Sequence, residues 1–345
     1  MKSIKKMREV RTTEIAAIAA VVLVTIAIIW VQVRRRARSC ICERTSRIFV
    51  SIASYRDELC RSTVESMYRN ATYPSRVYAG IYEQNADESQ SESCAPTEGS
   101  VASKFAKNIR TVTVNAAKAS GPCTARYQCG LLMRDEPVFV QIDSHSEFAS
   151  GWDVHAIQML RSTGAQSGSV VISTYPVNCS STWENTDPPV IDKAKYASGW
   201  MTFQATLRAD ARRSFVPSRQ IGGGLLLCMS SVIRAVPIDP GLAGTFNGEE
   251  LLYTARLYTH GIDVVAPTMN IVCHRYTYAE HKTVWTDRPE WRDGTVGHAR
   301  MDALLSGKHH DMYGPYGMGR KRTLHDFWKY IGIDYDAKTV GEWAY

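Results

Sequence analysis

Apolar positions along this chain follow two periodicities. Ile48, Phe49, Val50 and Ile52 crowd into Arg47–Ala53, and Val138 to Ile142 carries no charge before Asp143; both stretches predict buried strands. Between them Leu59, Val64, Met67, Tyr68 and Ala71 recur near helical spacing. They predict a helix from Ser54, as its N-cap, to about Ala71, stopped by Tyr73-Pro74. Arg76–Gln84 reads as the next strand. Strand, helix and strand with a short return form the parallel unit that begins a nucleotide-binding α/β sheet. A third strand is expected over Ile109–Val114, helices over Thr124–Arg134 and Trp152–Gly164, and a short strand over Ser169–Ser173. The later half alternates again: Gly222–Cys228, Gly248–His260, Val264–Ala266 and Ile271–Cys273. Residues 85–104 and 177–196 are polar, the second containing prolines; one reads as a surface loop, the other as an insert.

A different pattern precedes the first strand. Ile15–Val33 is apolar apart from Thr25 and Gln32, and nineteen helical residues reach about 28 Å, close to the hydrocarbon thickness. Trp30 stands near one end, and Arg34-Arg35-Arg36 follows where a signal peptide would carry a cleavage site. These features predict a basic tail over 1–14, a transmembrane anchor over 15–33 that engages the lipid bilayer, a stem over 34–46, a catalytic domain over 47–335 and a tail over 336–345. The net charge of +7 does not mark a nucleic-acid binder. Nine of the 41 Lys/Arg and two of the 34 acids lie in residues 1–38, which leaves the body neutral. The nine cysteines include no CxxC pair. Cys94, Cys123, Cys129 and Cys179 fall in loop-like stretches and fit disulfides of an oxidising lumen. Asn70-Ala-Thr and Asn178-Cys-Ser match the glycosylation acceptor pattern. Anchor, stem, sequons and cysteines together suggest a type II protein of the Golgi or endoplasmic reticulum with a lumenal body; a cytoplasm-facing body is the alternative.

Candidate chemistry gathers where the strongest strand ends. Ligands of open α/β sheets bind beyond the carboxyl ends of strands. Asp143-Ser144-His145 places a carboxylate and an imidazole there, a donor pair suited to Mn²⁺ and less so to Mg²⁺. Arg126 opens the helix leading into that strand and is within reach of a diphosphate at the same sheet edge. Glu249 and Glu250 begin a helix with Leu251, Leu252 and Leu257 at core spacing, so they are candidates to hold a sugar hydroxyl or orient an acceptor. Gly222-Gly223-Gly224 matches neither a P-loop nor a dinucleotide fingerprint. Close backbone approach to a donor and a flexible strand entry both fit it.

The segments Ile48–Asp57, Ala125-Arg126, Gln141–Phe148 and Trp152-Asp153 resemble the polypeptide N-acetylglucosaminyltransferase family. That family holds cytoplasmic hydroxyproline-modifying and trypanosomatid mucin-type enzymes. The likeness continues through Asp239-Pro240, Phe246–Glu250, Arg256–Thr259, Gly261, His274-Arg-Tyr276, Gly319 and Arg322-Thr-Leu324. It implies an α/β GT-A glycosyltransferase fold, a mixed, mainly parallel nucleotide-binding sheet flanked by helices, here behind a transmembrane helix. It also implies a UDP-GlcNAc donor, a divalent cation, retention of anomeric configuration and a protein or glycoprotein acceptor modified at a hydroxyl of Ser, Thr or hydroxyproline. By resemblance, Asp143, His145 and His274 would hold the metal. Ser51, Ser54, Tyr55 and Arg56 would hold uridine and ribose, with Arg126 and Ser144 beside the sugar diphosphate. Arg322 would belong to a basic C-terminal flap, and Glu249, Glu250 and Arg126 would form the catalytic set. Another UDP-sugar donor, a glycan acceptor, or a non-catalytic sugar-binding protein of the same fold are the alternatives.

Overall fold

The computed structural model describes residues 42, 46–86, 89–164, 168–180, 182–197, 200–276, 282–289, 296–307 and 310–341. The expected anchor over 15–33 lies outside them. No helix among the described residues is long and apolar enough to cross a membrane.

Strand β1 (Ile48–Tyr55) is buried along almost its whole length, as its unbroken apolar run requires. It continues two residues past the expected end, so Ser54 is a buried strand residue and caps no helix. Asp57 Oδ1 instead accepts the Leu59 amide at 2.9 Å, and helix α1 (Cys60–Arg69) starts only after that turn. Cys60, Thr63, Val64, Met67 and Tyr68 form its inner stripe. Strands β2 (Val77–Asn85), β3 (Ile109–Asn115) and β4 (Val138–Asp143) follow, with helix α2 (Pro122–Leu131) packed on β1 and β2 before β4. A three-residue strand β5 (Ser146–Phe148) and helix α3 (Trp152–Ser162) come next.

Strands β6 (Val170–Thr174), β7 (Val177–Asn178), β8 (Pro189–Ala197), β9 (Trp200–Leu207) and β10 (Leu225–Met229) lead to the short helix α4 (Ser230–Ala235). Helix α5 (Glu249–Thr259), strands β11 (Asp263–Val265) and β12 (Val272–His274), and helices α6 (Val284–Asp287), α7 (Val296–Leu305) and α8 (Leu324–Ile331) complete the elements that matter here. The main sheet has the order β11-β6-β10-β4-β1-β2-β3, with β10 antiparallel to both neighbours and every other pair parallel. The chain runs outward from β1 to β2 and β3, then crosses back to β4 on the other side of β1. That reversal leaves a crevice beyond the carboxyl ends of β1 and β4. Helices α5, α7 and α8 pack together, with Leu252, Leu257, Leu304 and Phe327 in one apolar cluster.

A smaller sheet, β5-β12-β7, lies against that crevice, and the Cys179–Cys273 disulfide fastens β7 to β12. A second disulfide, Cys60–Cys94, ties the start of α1 to the polar loop after β2. Cys123 and Cys129 lie in α2 as buried free thiols, so neither forms the disulfide the sequence suggests. The polar insert over 177–196 holds β7 and the first strand of the β8–β9 hairpin. Its two prolines do not break the strand: Pro188 precedes it and Pro189 is its first residue, where the ring is tolerated.

Candidate active site

A cavity of about 590 Å³ opens at the ends of β1 and β4. Parallel register puts Ala53 beside Asp143, so the last residues of β1 and the Asp143-Ser144-His145 corner share one wall. Pairing of β12 with β5 sets His274 opposite Ser146 and brings it to the same corner from 131 residues away. His274 Nε2 lies 3.0 Å from Asp143 Oδ2, and the His145 and His274 rings meet edge to face at 4.4 Å. One ligand atom from each of Asp143, His145 and His274 falls within 4.8 Å of the others.

The electrostatics of this corner favour a positive guest. Burial pushes the Asp143 carboxyl up, but His274, Arg126 and His145 outweigh it and hold it far below the usual carboxylate range. His145 moves the other way: burial lowers it, yet the hydrogen bond it makes to Asp57 and the charges of Asp143 and Asp57 leave it raised. Asp57 is itself buried and ionised, with its carboxyl held low against burial chiefly by His145. Its Oδ2 meets His145 Nδ1 at 2.7 Å and accepts the Ser144 hydroxyl at 2.5 Å. A carboxylate behind Nδ1 fixes the orientation of the imidazole ring, as carboxylates behind metal-ligating histidines do. The donors therefore fit a divalent cation that takes oxygen and nitrogen, as Mn²⁺ does.

Helix α2 supplies Arg126. Its Nη1 meets Glu249 Oε1 at 2.5 Å, and Nη2 stands 3.6 Å from Asp143 Oδ1. Burial lowers this guanidinium, but Glu249 and Asp143 more than offset it, so it stays charged. Glu249 and Glu250 sit in the first turn of α5, entered through Gly248 at φ +87°, a conformation that favours glycine. Glu250 accepts the Tyr175 hydroxyl, the Gly223 amide at 2.6 Å and Gln220 Nε2 at 3.3 Å. Burial and the neighbouring Glu249 push its carboxyl up to about 7, against the pull of Tyr175 and Gly223. Gly223 has no room for a side chain: a Cβ there would lie 2.4 Å from Arg126 Nη2. The backbone of Gly223 lies against Arg126 and Glu250, and that of Gly222 against the Thr174-Tyr175 backbone.

The expected nucleotide-binding residues divide. Ser54 lines the cavity, and its buried hydroxyl has no hydrogen-bond partner among the described residues. Tyr55 also lines it, donating to Asp287 at 2.6 Å. Arg56 spans Asp287 and Glu92 in a left-handed conformation at φ +49°. Ser144 borders the cavity with its hydroxyl turned to Asp57. Arg56 itself does not line the cavity, and two further residues are not brought there. Ser51 is fully buried in mid-strand, and Arg322 pairs with Asp263 at 2.5 Å and covers the Tyr258 ring. Asp57, Tyr175, Gln220 and Asp287 join the site without having been singled out. Only Asp57 carried a signal, its place in the segment that ends β1.

Among solved structures, the crystal structure of GalNAc-T7 with UDP, GalNAc and Mn²⁺ superposes with a TM-score of 0.52 at 14% identity. The match covers 84% of this chain and 57% of that one, so the chain spans little more than half of that protein's length. This likeness places the mixed, parallel-rich sheet in the GT-A-like fold class. No curated protein matches the chain. The family model described as Glycosyltransferase (GlcNAc) matches residues 47–104 and 86–337, and the chain belongs to that family.

Proposed function

We propose that this glycosyltransferase is metal-dependent and retaining, and that it moves N-acetylglucosamine from UDP-GlcNAc to a protein hydroxyl, of Ser, Thr or hydroxyproline. The observation that carries the reading is the meeting of Asp143, His145 and His274 beside Arg126, at the sheet edge where a nucleotide is expected. A divalent cation bound there would act as a Lewis acid on the diphosphate leaving group. Arg126, pinned by Glu249, adds a fixed positive charge where negative charge develops. Ser54 offers an unpaired hydroxyl to the nucleoside end. Glu250, half-buried and propped by Tyr175 and Gly223, holds a sugar or acceptor hydroxyl. In the transfer, the bond from the anomeric carbon to the β-phosphate oxygen breaks as the bond to the acceptor oxygen forms. The acceptor's proton leaves with the phosphate, and the enzyme's share is mostly positioning.

Support for GlcNAc comes from the family description and the sequence resemblance, and support for UDP and Mn²⁺ from the donor chemistry of the corner and the ligands of GalNAc-T7. A lumenal body is part of the same reading, supported by the apolar run over 15–33 and two disulfides. Incubating the chain with labelled UDP-sugars and Mn²⁺ tests the donor: faster UDP release from UDP-GlcNAc than from other UDP-sugars is expected, and indifference to the sugar would reject it. Protease digestion of the 47–345 body in intact vesicles would reject the lumenal placement.

A further inference from the structure

The two histidines of the metal corner are held in different ways. Behind His145 stands Asp57, whose Oδ2 meets its Nδ1 at 2.7 Å. His274 has no such support: its Nδ1 is buried and has no hydrogen-bond partner among the described residues. A metal-ligating imidazole ordinarily takes its orientation from a partner on its other nitrogen. The His274 ring has only ring contacts on its flanks, edge to face with His145 and tilted on Tyr276 at 4.2 Å. Its aim therefore depends on where the backbone of β12 is fixed.

β12 is three residues long, paired with β5 over three positions and with β7 over two. Successive side chains of a strand point to opposite faces. While His274 lines the cavity, Cys273 turns the other way, into an apolar cluster with Ala149 and Trp183. There it is bridged to Cys179, the residue after β7. Two hydrogen bonds tie the same segments: the Cys179 amide donates to the His274 carbonyl at 3.2 Å, and the Tyr276 hydroxyl to the Pro176 carbonyl at 2.7 Å. The covalent tie, on the residue next to the ligand, is the strongest of the three. We infer that the Cys179–Cys273 bridge positions His274, and that the cation site reaches its full affinity only once the bridge has closed. Closing joins the two sulfurs and passes two electrons and two protons to a disulfide oxidoreductase, whose own disulfide becomes a dithiol. The sulfurs act through His274 and are not ligands themselves. This inference rests on the metal-site part of the proposed function.

Linkage allows the test on the unaltered chain: if the bridge favours Mn²⁺ binding, Mn²⁺ must favour the bridge by the same factor. The full chain is equilibrated in dithiol–disulfide buffers with and without saturating Mn²⁺, whose binding is followed by electron paramagnetic resonance. Alkylation and peptide mass then read the reduced fraction of Cys179 and Cys273. Mn²⁺ suits oxygen and nitrogen better than thiolate, so the freed sulfurs compete little for it. A coupling of about tenfold, as groups behind a metal ligand contribute, makes the midpoint about 30 mV more negative in Mn²⁺. A His274→Phe chain keeps a ring against His145 and Tyr276 but offers no ligand, and its coupling should fall below about twofold. A bridge that only holds the fold together would give the same shift in both chains, and that result overturns the inference. So does a wild-type chain that binds Mn²⁺ with no shift at all, which leaves the proposed function intact. A wild-type chain that binds no Mn²⁺ overturns the metal site, and the inference with it.

Discussion

Two half-buried carboxylates face the same cavity and are driven in opposite directions. Asp143 sits among His274, Arg126 and His145, and its hydrogen bond with His274 together with the charge of Arg126 keeps it ionised in spite of burial. Glu250 sits beside Glu249 and under Tyr175, and burial with a like charge carries it up to about 7. Burial acts on both; the neighbours decide. The first environment suits a permanent anion for a cation, and the second a carboxyl that shares protons and hydrogen bonds with a neutral hydroxyl. One end of the cavity is therefore built for charge and the other for orientation.

The sharpest way to break this contrast is to remove the charged end. Asp143→Ala and His145→Ala are each expected to lower transfer by about 10²–10³-fold, as loss of a main electrostatic contribution does. UDP release in Mn²⁺ checks this, and near-wild-type rates in both variants would reject the assignment.

Glu250 gives the next largest effect, in stability. Its folded-state carboxyl binds a proton more tightly than the unfolded one, whose value is 4.5. The wild-type chain should therefore lose stability as pH rises from about 4.5 through about 7. The loss is about 3 kcal/mol at 1.36 kcal/mol per unit. Denaturation midpoints at pH 5 and pH 8 measure it, and Glu250→Gln should flatten that interval.

Asp57→Asn probes the support of His145 rather than a ligand itself, and should weaken Mn²⁺ affinity about 10–100-fold. Manganese titration followed by electron paramagnetic resonance reads it. The smallest effect is expected from Arg322→Ala. Its guanidinium is held by Asp263 away from the cavity, so KM for the donor should change less than about twofold. A larger rise in KM would restore a phosphate-closing role to the C-terminal segment.

Much of the charged end was legible in the sequence, because a strand buried on both faces is a solid apolar run and its end is marked by the first charge. Arg47–Ala53 and Pro137–Asp143 were readable for that reason, and Asp143 and His145 came with them. His274 was reachable only through a family resemblance, since its place is set by β12 pairing with β5 and no local pattern encodes that. The orienting end was less readable. Glu249 and Glu250 stood out at a helix start, but Tyr175, Gln220 and Gly223 reach Glu250 from two other segments. Ser54 misled because serine before an amphipathic run suggests a cap, while pairing to Glu83 kept the strand going. The β8–β9 hairpin was hidden by its polar, proline-led first strand, in which only Val190 and Ile191 form a short buried pair before the exposed Lys193 and Lys195.

The most direct measurement is the number of Mn²⁺ ions that the full chain binds in the presence of UDP, compared with the Asp143→Ala/His145→Ala double variant under the same conditions. The account predicts one tightly held ion in the wild-type chain and none in the variant, with the variant still folded by circular dichroism. Equal stoichiometry and affinity in the two proteins would contradict it.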